Sequence, residues 1–309
     1  MRAARWTRPE VLLPVTFLLA ILAGTGVLLL PGMSTGSEPV GPLEAFFTAT
    51  SAVCVTGLIV VDTGTAWTQA GQGVIAGLIQ IGGLGIMTFS VLALVLVGRR
   101  VALHHQAAVK KTWTPLRHWH VGRLLGAILG VTVLFEVAGF LLLRRELRDS
   151  WSALFHSVSA FCNAGFSLHS DSLQSHGPLA ALTCMALFVF GGLGFTTLLE
   201  LARALVPRRE KRRRFSLHAR LVFLTSAALL AIGVAVFLFE GHGVLDALFM
   251  SASARTAGFD TTPVGKMSGA SLLMLLPLMF IGASPGSTGG GIKTTTFALA
   301  VLHARATLK

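Results

Sequence analysis

Three short segments of the sequence carry the residues best suited to chemistry, and each has a glycine near its end, at position 57, 165 or 258. Their other residues are mostly small or apolar, so the backbone has to supply the polar groups. If these segments lie within a membrane, backbone that is not helical must be buried in protein or line a water-filled cavity. Free carbonyl oxygens in such a cavity replace the hydration shell of a cation. The segments therefore predict cation coordination without covalent chemistry.

The three glycines admit two interpretations. In one, each glycine supplies a positive φ or a close approach of two backbones. In the other, each glycine only relieves the packing of helices. Packing glycines belong inside spans, as the clusters at Gly82 and Gly191 do, so the first interpretation is favoured.

A second glycine-rich segment interrupts the last apolar stretch of the chain. It contains Pro285 and glycines at positions 282, 286, 289, 290 and 291. Proline lacks an amide hydrogen and glycine is a poor helix former, so the last span is expected to break near its middle. Lys293 lies within the same span, and an intramembrane charge faces a cavity or a partner. Two roles stay open for it: an electrostatic barrier to cations, or a side chain that extends to the cytoplasmic face.

The elements that must position these segments form a repeat. The stretches 45–58, 153–166 and 247–259 are versions of one motif, and their glycines are separated by 108 and 93 residues. This spacing suits a span, a short helix of about ten residues, a glycine loop and a second span. The sequence divides accordingly into units 1–100, 101–205 and 206–309, the last with a broken final span.

Composition places this repeat in a membrane. Hydrophobic residues make up 53% of the chain and charged residues only 12%, against roughly 25% charged in soluble domains. Six apolar stretches match the roughly 20 residues of helix that cross a bilayer. These stretches are 11–30, 71–97, 124–143, 179–199, 221–239 and 271–300. The chain contains no Tyr, which excludes a channel filter of the TVGYG type.

The basic residues predict the orientation of the chain. Of the 25 Lys and Arg, 19 lie before the first span, in the connections 99–123 and 203–220, or after residue 300, and 5 lie on the opposite side. Basic residues favour the cytoplasmic side, so both termini are predicted to be cytoplasmic. The run 208–214 is interpreted as a contact with lipid headgroups, and nucleic-acid binding is not expected.

Taken together, the motifs resemble the Trk/Ktr/HKT family of potassium transporters, and most closely its bacterial Ktr type. The resemblance rests on the Thr-Gly-Leu, Asn-Ala-Gly-Phe and Thr-Ala-Gly-Phe loops and on the segment 282–296, and it covers nearly the whole chain. It implies an all-α integral membrane protein, built from repeated membrane helix–pore helix–membrane helix units around a pseudo-fourfold pore. Six transmembrane helices and three re-entrant pore loops are expected in this chain.

The resemblance also implies the identity of the site residues. The implied filter residues are Val55, Thr56, Gly57, Asn163, Ala164, Gly165, Thr256, Ala257 and Gly258. K⁺ is implied to bind the backbone carbonyls of Val55, Thr56, Asn163, Ala164, Thr256 and Ala257. The segment 282–296 is implied to be a flexible gate below the filter, with Gly282, Ser284, Pro285, Gly286, Gly289, Gly290, Gly291 and Lys293 as its gate residues.

Function and partners follow from the resemblance as expectations. The expected function is potassium uptake across the cytoplasmic (inner) membrane without a covalent cofactor. Na⁺ is a candidate coupling or activating ion. The family further implies a homodimer and a cytoplasmic ring of nucleotide-binding regulatory subunits. Because the family has four repeats and three occur here, a truncated or non-conducting pore subunit that needs a fourth repeat is the alternative. An intramembrane enzyme would need two catalytic groups at one depth, and the sequence offers no such pair.

Several charged residues lie close to the implied filter. Asp62, Asp171 and Asp260 follow the three glycines by five, six and two residues, which predicts an acidic outer vestibule that concentrates cations. Arg255 is expected to point away from the filter, to the end of the short helix or to an acid. The sequence assigns no partner to Glu136 or Glu200.

Overall fold

The structure is a computed structural model that describes residues 9–36, 40–104, 121–205 and 215–308. Within these ranges every regular element is a helix, and the one β-type contact is an isolated bridge between Ser34 and Trp67. The predicted all-α class is confirmed for this part of the chain. Much of the basic sequence that predicts the orientation, including the run 208–214, lies outside the described residues.

The first group of helices surrounds the first glycine segment. Its members are α1 (Pro9–Leu28), α2 (Pro42–Val53), α3 (Thr63–Ala66) and α4 (Gln69–His104). Helix α2 begins with a proline in its first turn, where a missing amide hydrogen costs nothing. The Glu44 carboxylate accepts a hydrogen bond from the Gly41 amide at 2.9 Å, which fixes the start of the helix. Helix α2 packs against both α1 and α4, so it is short but well anchored.

The second group repeats this arrangement around the second glycine segment. Its members are α5 (Val121–Leu147), α6 (Ser150–Phe161), α7 (Pro178–Leu193) and α8 (Phe195–Leu205). Asp149 caps α6 by accepting hydrogen bonds from the amides of Trp151 and Ser152. Helix α6 packs against α5 and α7. The sequence predicts a span over 179–199, and within this span α7 and α8 meet at Gly194 with a bend of 107°.

The third group surrounds the third glycine segment and the glycine-rich segment. Its members are α9 (Leu217–Phe239), α10 (Val244–Ser253), α11 (Gly269–Phe280) and α12 (Thr294–Thr307). Helix α10 packs against α9 and against α7 of the second group, and α12 returns to pack against α9. The chain is not helical between α11 and α12, where the sequence analysis expects a break.

The described helices have the length and surface of membrane helices. Three of them, Gln69–Phe89, Gly122–Leu147 and Leu217–Phe239, are long and apolar enough to cross a bilayer, and the bent pair α7–α8 brings the number to four if it counts as one span. Large apolar side chains of the described helices are exposed, among them Leu134 on α5, Leu224 on α9 and Leu273 on the shorter helix α11. Such side chains suit contact with lipid. The count of six spans stays a prediction.

Candidate functional site

The predicted filter residues form three triplets, 55–57, 163–165 and 256–258, which begin two or three residues after the last residues of α2, α6 and α10. In each case the amide of the middle residue turns back to a serine carbonyl in the last part of the helix. The distances are 2.9 Å from Thr56 to Ser51, 2.8 Å from Ala164 to Ser159 and 2.9 Å from Ala257 to Ser253. The bond spans five residues in the first two loops and four in the third, so the first two loops leave their helices in the same way and the third makes a tighter turn.

The hydroxyls of these serines hold the loops as well. The Ser159 hydroxyl donates to the carbonyl oxygen of Phe166 at 2.7 Å, and the Ser253 hydroxyl donates to that of Phe259. In the first loop the Thr56 hydroxyl instead donates to the Ser51 hydroxyl at 2.9 Å. Sequence reasoning missed these serines. The signal was present, since a serine precedes each triplet by three to four residues.

Each triplet has left-handed backbone at its first and third residues. The glycines at 57, 165 and 258 have φ values of 73°, 73° and 83°. The first residues are Val55, Asn163 and Thr256, with φ values of 55°, 58° and 75°. A positive φ is rare for a β-branched residue such as Val or Thr, so the fold must impose it.

The backbone carbonyls of the triplets are free of internal hydrogen bonds. No backbone amide of the described residues donates to a carbonyl oxygen in 55–57, 163–165 or 256–258. Buried peptide carbonyls are normally paired, because an unpaired one costs about 1–3 kcal/mol. These oxygens are therefore available to a ligand that accepts electron density, which is what a cation does.

The triplets contact one another in the order first, second, third. A Cβ added at Gly57 would lie 2.4 Å from the Ala164 carbonyl oxygen, and one at Gly165 would lie 3.0 Å from the Ala257 carbonyl oxygen. A Cβ at Gly258 would meet only Gly165 within 4 Å. The three triplets thus form an arc whose open side lies between the first and the third.

The glycine-rich loop, residues 281–293, rests on the bend between α7 and α8. The Ser284 amide donates to the Gly192 carbonyl oxygen at 2.9 Å, and the Phe195 amide donates to the Gly286 carbonyl oxygen at 2.9 Å. Gly194 has φ 86°, and a Cβ there would lie 2.4 Å from the Pro285 carbonyl oxygen. The predicted span 179–199 is interrupted at this point, because the loop occupies the space and the hydrogen bonds that a straight helix would need.

The loop is also closed on itself. The Ala283 amide donates to the Gly290 carbonyl oxygen at 3.0 Å, and a Cβ at Gly282 would lie 2.3 Å from the same oxygen. Lys293 immediately precedes α12, and its ammonium group donates to the Gly289 carbonyl oxygen at 2.6 Å. The lysine side chain therefore bonds to the loop. A side chain that reached for the cytoplasmic face would instead extend away from the loop.

Two side chains join the loop to the triplets. The Asn163 amide group donates to the Thr288 hydroxyl at 2.8 Å, and the Thr256 hydroxyl accepts from the Gly290 amide at 3.0 Å. The structure therefore brings the segment 282–296, which is predicted to be the gate, into contact with the second and third triplets. Sequence reasoning treated the triplets as backbone ligands only and gave these side chains no role.

Two charged residues, Arg255 and Glu200, have partners that the sequence could not assign. Arg255 donates to the Ser226 hydroxyl on α9 at 3.1 Å, so among the described residues it bonds to a hydroxyl and not to an acid, the second of the two expected partners. Glu200 accepts from the amide and the hydroxyl of Ser216, at 2.9 and 2.7 Å, and thereby holds the start of α9.

The three outer aspartates lie in one neighbourhood. The amide of Asp260 donates to the Ser172 hydroxyl at 3.2 Å, next to Asp171 in the chain. Asp62 caps α3, and a Cβ at Gly64 in that helix would lie 2.1 Å from the Leu168 carbonyl oxygen. Burial raises the pKa of Asp260, whereas the hydrogen bond from Ser175 lowers the pKa of Asp171.

The apolar helices, the helix breaks and the unpaired carbonyls define a multi-pass membrane protein with a candidate cation site. The chain belongs to the TrkH family of cation transport proteins, which matches residues 16–309. Members of this family are ion transporters and not enzymes.

Named relatives are similar over almost the whole chain. It is 39% identical to the Ktr system potassium uptake protein B of Vibrio alginolyticus, over 97% of this chain and 69% of that protein. It is 40% identical to the protein of the same name from Bacillus subtilis, over 95% of this chain and 69% of that protein. The potassium/sodium uptake protein NtpJ of Enterococcus hirae is 33% identical, with 100% of this chain and 72% of that protein covered.

A solved structure shows the same fold. The potassium transporter TrkH of Vibrio parahaemolyticus matches with a TM-score of 0.77 at 22% identity. The match covers 100% of this chain and 64% of the transporter, so the chain spans less than two thirds of that protein's length.

Proposed function

We propose that this chain takes up K⁺ across the cytoplasmic membrane through a pore lined by its three triplets. The observation that carries the proposal is the set of unpaired carbonyl oxygens in 55–57, 163–165 and 256–258. Relatives with 39% and 40% identity are named potassium uptake proteins, which supports K⁺ as the ion.

The chemistry is the replacement of water by carbonyl oxygens. The six ligands proposed for K⁺ are the carbonyl oxygens of Val55, Thr56, Asn163, Ala164, Thr256 and Ala257. The carboxyl ends of α2, α6 and α10 carry partial negative charge and add to the attraction for a cation. No bond is made or broken, so the glycines act by allowing left-handed backbone and close approach of the strands.

The glycine-rich loop is proposed to be the gate. Its contacts with the second and third triplets support this role, because the loop lies directly against the proposed ion path. Lys293 holds the loop closed through its bond to Gly289 and adds a positive charge that opposes cation passage.

The surroundings of the pore are proposed from the charge pattern and the family resemblance. Both termini lie in the cytoplasm, and the basic inner connections contact anionic lipid. The chain forms a homodimer that carries a ring of nucleotide-binding regulatory subunits on its cytoplasmic face. Sodium acts as a coupling or activating ion, and a relative named potassium/sodium uptake protein supports this part of the proposal.

A second candidate is a pore subunit that does not conduct until another polypeptide segment closes the arc. The open side of the arc favours it. Leu58, which follows the first triplet, is 63% exposed, whereas Phe166 and Phe259 at the same point of the other loops are 0% and 2% exposed. An exposed apolar residue beside unpaired carbonyls indicates a surface that another segment covers.

Uptake of ⁸⁶Rb⁺ in a host that lacks its own potassium uptake tests both candidates. The chain is expressed alone and together with a separate segment that contains a span, a short helix, a glycine loop and a span. Uptake that needs the added segment supports the second candidate, and uptake by the chain alone supports the first. No uptake in either case would contradict the proposed function.

A matched pair of variants ties uptake to the triplets. Gly57→Ala places a methyl group against the Ala164 carbonyl oxygen, and uptake should fall to a small fraction of that of the wild type. Gly26→Ala in α1 is the control, because a Cβ there meets no atom within 4 Å. Equal uptake by the two variants would show that the triplets do not line the ion path.

A further inference from the structure

The first residue of a triplet decides whether that strand is bonded to the glycine-rich loop. These residues are Val55, Asn163 and Thr256, all with left-handed backbone. The polar two bond to the loop through their side chains, while Val55 has no polar side-chain atom. The inference drawn from this difference rests on the proposed function, in which the triplets are the filter and the loop is the gate.

The contact of Asn163 with the loop consists of buried hydrogen bonds. Asn163 and Thr288 are 3% and 2% exposed. The Thr288 hydroxyl gives its one hydrogen to the Phe161 carbonyl oxygen at 3.0 Å, so it can only accept from Asn163. The loop thus touches both the filter residue and the end of α6, the helix that carries it.

The space for this contact is made by Gly191 on α7. A Cβ at Gly191 would lie 2.1 Å from the Phe161 carbonyl oxygen, 2.8 Å from the Asn163 amide nitrogen and 3.0 Å from the Thr288 hydroxyl oxygen. The Thr288 amide also donates to the Gly191 carbonyl oxygen at 3.3 Å. Helix, filter and loop therefore meet at one point, and none of the three can shift without disturbing the others.

Thr256 makes the corresponding contact in the third strand. Its hydroxyl accepts from the Gly290 amide at 3.0 Å, while its φ of 75° is unfavourable for a β-branched residue. A glycine would adopt this backbone without strain but would lose the hydroxyl. In the first strand Thr56 bonds within its own segment, to Ser51, and makes no contact of this type.

We propose that Asn163 and Thr256 are positioning residues that couple the filter to the gate. When the loop is closed, their side chains hold the second and third strands in the observed geometry. When the loop moves, both bonds break and the carbonyls of these strands are released from that constraint. Movement of the loop then changes both the discrimination between ions and the rate of conduction. If the filter were independent of the gate, movement of the loop would change the rate of conduction alone.

Thr288→Val tests the coupling, because valine keeps the shape and removes the hydroxyl. Loss of two buried hydrogen bonds should shift the balance between closed and open loop by roughly thirtyfold. We expect faster ⁸⁶Rb⁺ uptake, together with a weaker preference for K⁺ over Na⁺ as competitor. Thr288→Ser keeps the hydroxyl and should restore both properties. Thr256→Val removes the other bond and should change both properties in the same direction.

Ser287→Ala is the matched control within the loop. The Ser287 hydroxyl donates to the Ser284 carbonyl oxygen at 2.5 Å, inside the loop, and does not reach the filter. Its removal should leave the preference for K⁺ over Na⁺ unchanged. If Thr288→Val and Thr256→Val also change uptake without changing the preference, the filter and the gate are independent and the proposal is wrong.

Hydrogen exchange of the purified full chain separates this failure from a failure of the proposed function. Thr288→Val should increase amide exchange both in the loop, 284–292, and in the second filter segment, 158–167. An increase confined to the loop would overturn the coupling whether or not the protein transports ions. A wild type that takes up no Rb⁺, even with an added closing segment, would instead contradict the proposed function.

Discussion

At the scale of single residues, Asp260 is a carboxylate whose surroundings disfavour its charge. Burial raises its pKa, and its Oδ1 atom is buried without a hydrogen-bond partner among the described residues. The protonated form is favoured by folding, so the stability that it contributes is present at low pH and is lost as the pH rises through the raised pKa. Asp260→Asn should therefore raise Tm at pH 7 by about 1–3 °C, and the gain should shrink as the pH is lowered.

Asp171→Asn is a control for which the opposite change in stability at pH 7 is expected. The hydrogen bond from Ser175 lowers the pKa of Asp171, so its contribution to stability is present at neutral pH and is lost as the pH falls through the lowered pKa. This variant should be slightly less stable than the wild type at pH 7 and equal to it at acidic pH. Because the pKa of Asp171 lies below its ordinary value, thermal unfolding of both variants is measured between about pH 2 and pH 8, and parallel curves would contradict the two trends.

The sequence could predict the three triplet glycines, because few other residues adopt positive φ without strain. It could not predict left-handed backbone at Val55 or Thr256, since β-branched residues disfavour it. The partner of Asn163 lies 125 residues away in the chain, so the role of its side chain was not readable from local pattern. At these positions, contacts that exist only in the folded chain outweigh the backbone preference of each residue type.

At the scale of helices, glycine sets how closely α7 approaches the end of α6. A Cβ at Gly191 would lie 2.1 Å from the Phe161 carbonyl oxygen, which is backbone and cannot swing aside. Gly191→Ala should therefore destabilise the protein by about 1–3 kcal/mol, the usual cost of overpacking. Gly77→Ala in α4 is the matched control, because a Cβ there meets no atom within 4 Å. Thermal unfolding in one detergent compares the two, and an equal Tm for both variants would contradict the argument.

Two glycine clusters of the same sequence pattern have different structures. The cluster 82–85 lies within the continuous helix α4, where a Cβ at Gly85 would meet only the Phe17 ring. The cluster 191–194 ends α7 in a bend of 107°, because the glycine-rich loop bonds to its last residues. The repeat predicted both clusters as parts of spans. It could not predict the bend, since the cause of the bend lies in the loop of another unit.

At the scale of the whole molecule, the fold was the most predictable feature. Apolar stretches and basic connections indicated a helical membrane protein, and the fold and the family agree with that prediction. The positions of the short helices followed from the repeated motif at 45–58, 153–166 and 247–259. The arc of triplets did not follow from it, because a linear pattern does not state which units contact one another.

The outer aspartates lead to a prediction about the field at the mouth of the proposed pore. Replacing Asp62, Asp171 and Asp260 together with Asn removes three negative charges. Asparagine can still cap α3 and accept the bond from the Ser175 amide, so the local structure should persist. The apparent affinity for K⁺ should weaken several-fold at low ionic strength, where the Debye length is about 30 Å, and little at 1 M, where it is about 3 Å. Rb⁺ uptake at ionic strengths set by choline chloride measures this dependence of the affinity on salt. A loss of affinity that does not depend on salt would indicate structural damage instead of a lost attraction for cations.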